Sequence, residues 1–169
     1  LDSQTLLECE YIDIIVRGEG EWGALELISK IINKQDIASV EGITFRDRGS
    51  IIRTQDRAVG DLAKLPKINF GLLPSKFYKD RIVNLVPSRG CMFNCKFCVE
   101  RKLWGNQLRV FPAEKIVSEA KDLCSKYKVK FLSMEDSMIS IHDEYFLKLA
   151  DQLKKIPNLK LLPPSISSY

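Results

Sequence analysis

Histidine is almost missing from this chain, with one (His142) in 169 residues. That residue has no metal-type partner within a helical turn, so it reads as a satisfied or capping histidine and not as a ligand. Also missing is any run near the roughly 18 apolar residues of a membrane span, and no charged-then-apolar leader opens the chain, which sets the expectation of a cytoplasmic protein with no membrane partner. Charge of one sign is not in excess: the formal net charge is +4, with basic residues scattered among acids, so nothing demands a nucleic-acid partner. No internal repeat at solenoid periods is present. Disorder is excluded by a composition of 45% hydrophobic and 28% charged residues, ordinary for a globular protein with a core. An initiator methionine is absent, and the chain stops at Tyr169 just after a strand-like run. The expectation is a fragment of something longer.

Cysteine is scarce except in one place. Of five, Cys9 and Cys124 stand alone and read as small buried hydrophobes. The other three crowd into Ser88-Arg-Gly-Cys91-Met-Phe-Asn-Cys95-Lys-Phe-Cys98, spaced C-x3-C-x2-C. An odd total with three thiols so close makes a poor disulfide framework and fits a reducing compartment. Three thiolates on one loop suit a soft-metal centre: an iron–sulfur cluster, zinc or copper(I). A closed zinc site or a simple electron-transfer cluster normally has four protein ligands. Downstream only Cys124 and His142 remain, and neither belongs to a second ligand pair. Three cysteines leave one metal corner open for a substrate.

This spacing, with aromatic Phe97 directly before the third cysteine, resembles the signature of radical S-adenosylmethionine (SAM) enzymes. The resemblance implies that Cys91, Cys95 and Cys98 hold a 4Fe-4S cluster whose fourth iron is chelated by SAM. It implies reductive cleavage of SAM to methionine and a 5′-deoxyadenosyl radical, with Phe97 against the adenine. An external electron donor such as ferredoxin or flavodoxin, and a small-molecule substrate, come with it.

Upstream, Tyr11 to Val16 is β-branched and apolar enough for a strand buried on both faces of a parallel sheet. Arg17-Gly-Glu-Gly-Glu21 ends it, and from Trp22 to about Asn33 the residues Leu25, Leu27, Ile28, Ile31 and Ile32 recur at helical spacing. Alone, Gly18-x-Gly20 is a tight turn. With Asp13 and Glu19 to Glu21, however, the unit is similar to the last strand and helix of the Rossmann-like cobalamin-binding domain that precedes many radical SAM domains. That resemblance nominates Gly18, Glu19 and Gly20 toward cobalamin, although the earlier part of such a domain, with any cobalt-ligating histidine loop, is not in this chain. Gly42 to Arg53 reads as two short strands around an Asp47-Arg-Gly-Ser50 turn, a hairpin bridging domains. Thr54 to Asp80, with two glycines, two prolines and no periodicity, reads as a linker lying across a surface; its Asp61-Leu-Ala-Lys-Leu-Pro66 resembles the interdomain connector of the cobalamin-dependent group.

Arg81 to Pro87 is then a strand delivering into the cysteine loop, as barrel strands deliver chemistry onto the loops that follow them. Pro112 to Tyr127 is an amphipathic helix with Pro112 in its first turn, Val129 to Met134 a strand, Asp143 to Ile156 a helix with Asp143 as N-cap, and Leu159 to Leu162 a third strand. Alternating strands and helices argue for a parallel sheet. The expected fold is therefore α/β: the C-terminal end of a Rossmann-like cobalamin-binding domain (1–38), a hairpin and linker (39–80), and the first half of a radical SAM partial (β/α)6 TIM-type barrel (81–169).

Glu135 and Asp136 end the second barrel strand, where a carboxylate could take a charge-assisted hydrogen bond from the ammonium group of SAM or cap a helix. Arg89 and Gly90 shape the loop, the arginine tempering thiolate charge. Arg109 meets a carboxylate of SAM or substrate, or pairs on the surface. No catalytic residue beyond the cofactor set stands out. The resemblance implies methylation, cyclisation or rearrangement of an unreactive carbon; a methylthiotransferase and a non-catalytic metal-binding or electron-transfer module are the alternatives.

Overall fold

The computed structural model describes residues 8–79, 81–135 and 143–162, side-chain surroundings of Asp143 excepted. The chain divides into two compact units, one running to Gly60 and including Lys102–Trp104, the other made of Asp61–Arg101 and the residues from Gly105 onward. No described helix is long and apolar enough to cross a membrane.

In the first unit, β1 (Ile14–Val16) is followed by α1 (Gly20–Ile32), a 3-10 turn at Ile37–Ser39, and the hairpin β2 (Ile43–Asp47) and β3 (Ser50–Arg53). Arg48 and Gly49 both take positive φ, 45° and 85°, the two-residue turn whose twist suits a hairpin. The strands form one antiparallel sheet in the order β1-β2-β3, with Ile15 opposite Thr44 and Phe45 opposite Ile52. This corrects two expectations. Tyr11–Val16 is not a doubly buried parallel strand: only Ile14–Val16 is extended, it runs antiparallel to β2, and it is half-buried. The hairpin, expected as a bridge, supplies the ladder β1 needs and half of this unit's core, which is Leu27, Val40, Ile43 and Phe45.

The apolar arc of α1 is also split. Gly23 and Leu27 face inward, where a Cβ on Gly23 would stand 2.9 Å from Val16 Cγ1, whereas Leu25, Ile28, Ile31 and Ile32 are exposed. One three-stranded sheet covers only one side of a helix that is apolar on two.

Arg17 ties this unit together. Its side chain, 11% exposed, donates to Thr44 Oγ1 (2.7 Å), Thr54 O (2.5 Å), Asp56 Oδ1 (2.8 Å from Nη2, 3.1 Å from Nε) and Ile43 O. The Arg17 hydrogen bond, with Arg53 adding its charge, holds the Asp56 carboxyl below its ordinary 3.8. A depressed carboxylate contributes stability above its unfolded pKa and loses it as pH falls through the folded value. Below about pH 4 the unit is therefore expected to weaken, and Asp56→Asn to remove that dependence. Asp56 is exposed, so the effect stays under about 1 kcal/mol. Urea unfolding at pH 6 and pH 3 measures it; equal acid sensitivity in both proteins would refute the assignment.

The second unit opens with 3-10 turns at Leu62–Lys64, Phe70–Leu72 and Ser75–Phe77. The regular elements from there on are β4 (Ile82–Leu85), β5 (Ser88–Arg89), α2 (Glu100–Trp104, of which Lys102–Trp104 group with the first unit), β6 (Arg109–Val110), α3 (Ala113–Tyr127), β7 (Phe131–Met134), α4 (Asp143–Leu153) and β8 (Lys160–Leu162). Strands β4, β7 and β8 form a parallel sheet in that order, with Leu85 opposite Met134 and Leu132 opposite Leu161. Helices α3 and α4 make the crossovers and bury Ile116, Val117, Ala120, Leu123, Leu149 and Leu153 against Leu85, Leu132 and Met134. Pro112 sits at the α3 N-cap, where its missing N–H costs nothing.

The linker segment is pinned to α3. Lys115 Nζ donates to Leu65 O (3.0 Å), Lys67 Nζ to Ser118 Oγ, and the Ile68 N–H to the buried Glu119 carboxylate (3.0 Å). Tyr78 joins Phe70 and Tyr127 in an aromatic cluster and donates its hydroxyl to Phe70 O (2.9 Å).

Candidate metal centre

Residues 90–108 leave the sheet end of β4 and return as a closed excursion. Its neck is a short antiparallel ladder: the Phe111 N–H donates to Pro87 O (2.9 Å), Ser88 pairs with Val110, Arg89 pairs with Arg109, and the Cys91 N–H reaches Gly105 O (3.4 Å). Gly90 (φ 92°) and Gly105 (φ 87°) turn the backbone at the two ends, conformations a Cβ would resist. The expected strand did not include this ladder, because two-residue strands leave no periodicity to read.

Within the excursion Cys91 is buried at 9% exposure, Cys98 is half-buried and Cys95 is exposed; all three are free thiols. The Cys98 N–H donates to Cys95 O (3.1 Å), so the last two cysteines share one turn. Phe97 is 94% exposed. Among the described residues no group of three His, Cys, Asp or Glu is arranged to hold a metal ion. The structure thus brings the cysteines into one closed loop without assembling their sulfurs into a ready ligand set. The donor chemistry nevertheless fits a thiolate-ligated cluster, because such ligands commonly order only when the metal binds.

Glu135 follows β7 at the same sheet end. Its N–H donates to Leu85 O (2.9 Å), and its Oε1 accepts from Ser133 Oγ (3.3 Å), leaving the side chain exposed beside the strand that feeds the cysteine loop. Asp136 and His142 lie outside the described residues. The Arg89 guanidinium lies 5.5 Å from the Phe111 ring centre, and Lys115 Nζ 4.5 Å from the same ring. Phe111 and Lys115 carry little signal in the sequence beyond an aromatic four residues before a lysine in a helix's first turn.

Gly18, Glu19 and Gly20 form the β1–α1 turn of the first unit. Gly18 has φ 68°, Glu19 is buried but does not cap α1 with its side chain, and a Cβ on Gly18 or Gly20 would meet nothing within 4 Å. Packing therefore does not explain Gly20. Cys124 packs against the second unit's core, and burial raises its thiol pKa; Cys9, expected buried, is exposed.

No family model matches the chain. It is 30% identical over 162 residues to the anaerobic magnesium-protoporphyrin IX monomethyl ester cyclase of Rubrivivax gelatinosus, covering 90% of this chain and 29% of that protein. It is 26% identical over 155 residues to an uncharacterised methyltransferase of Pyrococcus horikoshii, covering 89% of this chain and 34% of the relative. Among solved structures, the radical SAM methyltransferase TsrM from Kitasatospora setae, with cobalamin and a [4Fe-4S] cluster bound, superposes with a TM-score of 0.73 at 17% identity over 92% of this chain and 34% of its own. The cobalamin-dependent SAM radical enzyme OxsB gives 0.74 at 21% identity, over 94% and 24%.

The fold is that of the cobalamin-dependent radical SAM enzymes. This chain spans about a third or less of the length of these proteins. The radical SAM fold accounts for the order β4, cysteine loop, α3, β7, α4, β8.

Proposed function

We propose that this chain is the part of a radical SAM enzyme, of methyltransferase or cyclase type, that carries the cluster loop. The observation that carries the reading is a neck-closed loop with three free cysteines at the C-terminal end of a parallel sheet. Cys91, Cys95 and Cys98 would hold the 4Fe-4S cluster, with Phe97 and the Glu135 and Asp136 carboxylates serving SAM. When bound, the cluster and SAM supply reductive cleavage to a 5′-deoxyadenosyl radical. The chain's own part is to hold three thiolates on a loop fixed at its neck and to offer a carboxylate at the adjacent strand end.

Similarity to a cyclase and a methyltransferase favours methylation or ring closure over methylthiolation. Residues 1–38 would be the end of a cobalamin-binding domain, with Gly18, Glu19 and Gly20 toward the cofactor; 39–80 a hairpin and connector; and 81–169 the start of a (β/α)6 barrel. Substrate would be a small molecule and the reductant a ferredoxin or flavodoxin, in the cytoplasm.

Anaerobic reconstitution with iron and sulfide, followed by absorption and electron paramagnetic resonance, tests the reading. A 4Fe-4S signal whose line shape changes on adding SAM is expected. A cluster that ignores SAM would leave only a metal-binding or electron-transfer module.

A further inference from the structure

The stretch from Lys64 to Ile82 holds five of the chain's 26 basic residues and one of its 22 acidic ones, so it carries the whole net charge of +4 and the rest of the chain balances. All five, Lys64, Lys67, Lys76, Lys79 and Arg81, are exposed, and Lys67 also donates to Ser118 Oγ. The apolar residues of the same stretch divide. Phe70 and Tyr78 turn inward onto Tyr127, with ring centres 6.4 and 4.9 Å from it. Leu72, Leu73 and Phe77 are left 80%, 52% and 51% exposed. Local contacts fix that division: the Asn69 side chain accepts the Gly71 N–H (3.0 Å) and closes the 3-10 turn Phe70–Leu72, while Pro74 caps the next turn, Ser75–Phe77. An apolar residue exposed singly needs no account, but three within six residues of chain mark a surface that meets a partner.

We propose that this face is a peripheral docking site for an anionic lipid surface, with Leu72, Leu73 and Phe77 entering the headgroup boundary and the surrounding bases meeting lipid phosphates. Interfacial binding grows with buried apolar area and with attraction between Lys or Arg and anionic headgroups, and both ingredients lie together here. Composition favours lipid over a protein partner. Lysine is depleted at specific protein interfaces, yet four of these five bases are lysines, and a leaflet of anionic lipid takes lysine and arginine alike. The lack of a long apolar run bears on spanning a membrane, whereas contact of this kind needs no spanning helix.

Co-sedimentation of the full-length protein with phosphatidylcholine vesicles, with and without phosphatidylglycerol, tests the site. Binding is expected only where phosphatidylglycerol is present, and it should weaken as salt is raised. Leu72→Ser is expected to lower the partition coefficient about tenfold and Lys79→Gln about fivefold. Lys148→Gln, which removes a cation paired with Glu114 between α3 and α4, should leave it unmoved. The contact does not involve the cluster, so iron content should be the same in all three variants. Failure of the wild-type protein to bind, equal binding to both kinds of vesicle, or partitioning unchanged by either Leu72→Ser or Lys79→Gln overturns the proposal. So does a clearly lower melting temperature or an altered oligomeric mass of the Leu72→Ser protein without lipid, which would place the rest of the protein or a second copy on this face.

Discussion

Alanine at Cys95 is expected to abolish cluster assembly and, in the full-length protein, to bring SAM cleavage down to background. Cys95 and Cys98 lie on one hydrogen-bonded turn, with Cys91 buried at the neck of the same loop. Two remaining thiolates on the loop are too few to hold a four-iron core that leaves one iron for SAM. Iron per chain and 5′-deoxyadenosine formed are the measurements. Cys124→Ala is the matched control, because burial disfavours its thiolate and it packs against the core; it should retain iron at the wild-type level. Cleavage that survives Cys95→Ala would remove Cys95 from the ligand set.

Methionine at Arg17 is expected to cost the first unit about 3 kcal/mol, the scale of charge-assisted hydrogen bonds lost from a mostly buried guanidinium. This one side chain links the end of β1 to Ile43 and Thr44 of β2 and to the Thr54–Asp56 segment beyond β3. Among the described residues the unit's buried apolar core is Leu27, Val40, Ile43 and Phe45, too small to absorb such a loss. Hydrogen exchange should show β2 and β3 amides losing protection while α3 and β7 keep theirs. Unchanged protection in β2 and β3 would show that the apolar core, and not Arg17, holds the sheet.

Local chemistry made much of this legible. The Asp47-Arg-Gly-Ser50 turn appears where Gly49 permits the positive φ a tight hairpin needs, α3 runs over Ala113–Tyr127 behind Pro112 as its apolar spacing requires, and β4, β7 and β8 fall on the β-branched and apolar runs assigned to them. These are short-range properties, decided by neighbours within a turn or a strand. The role of Arg17 was not legible, because an arginine before a glycine looks the same whether it reaches solvent or three backbone segments.

Sequence by itself determined the cysteine loop, its donor chemistry, and the alternation of strand and helix around it, since spacing and side-chain type are read along the chain. Only the tertiary structure decided that β1 runs antiparallel to the hairpin, that the connector is fastened to α3 through Lys115 and Glu119, and that Arg89 faces Arg109 across the neck of the loop. Each of these joins residues far apart in the chain, where pairing depends on which surface finds which partner. The three cysteines therefore have a defined mount: a neck closed by four backbone contacts, with Arg89 opposite Arg109.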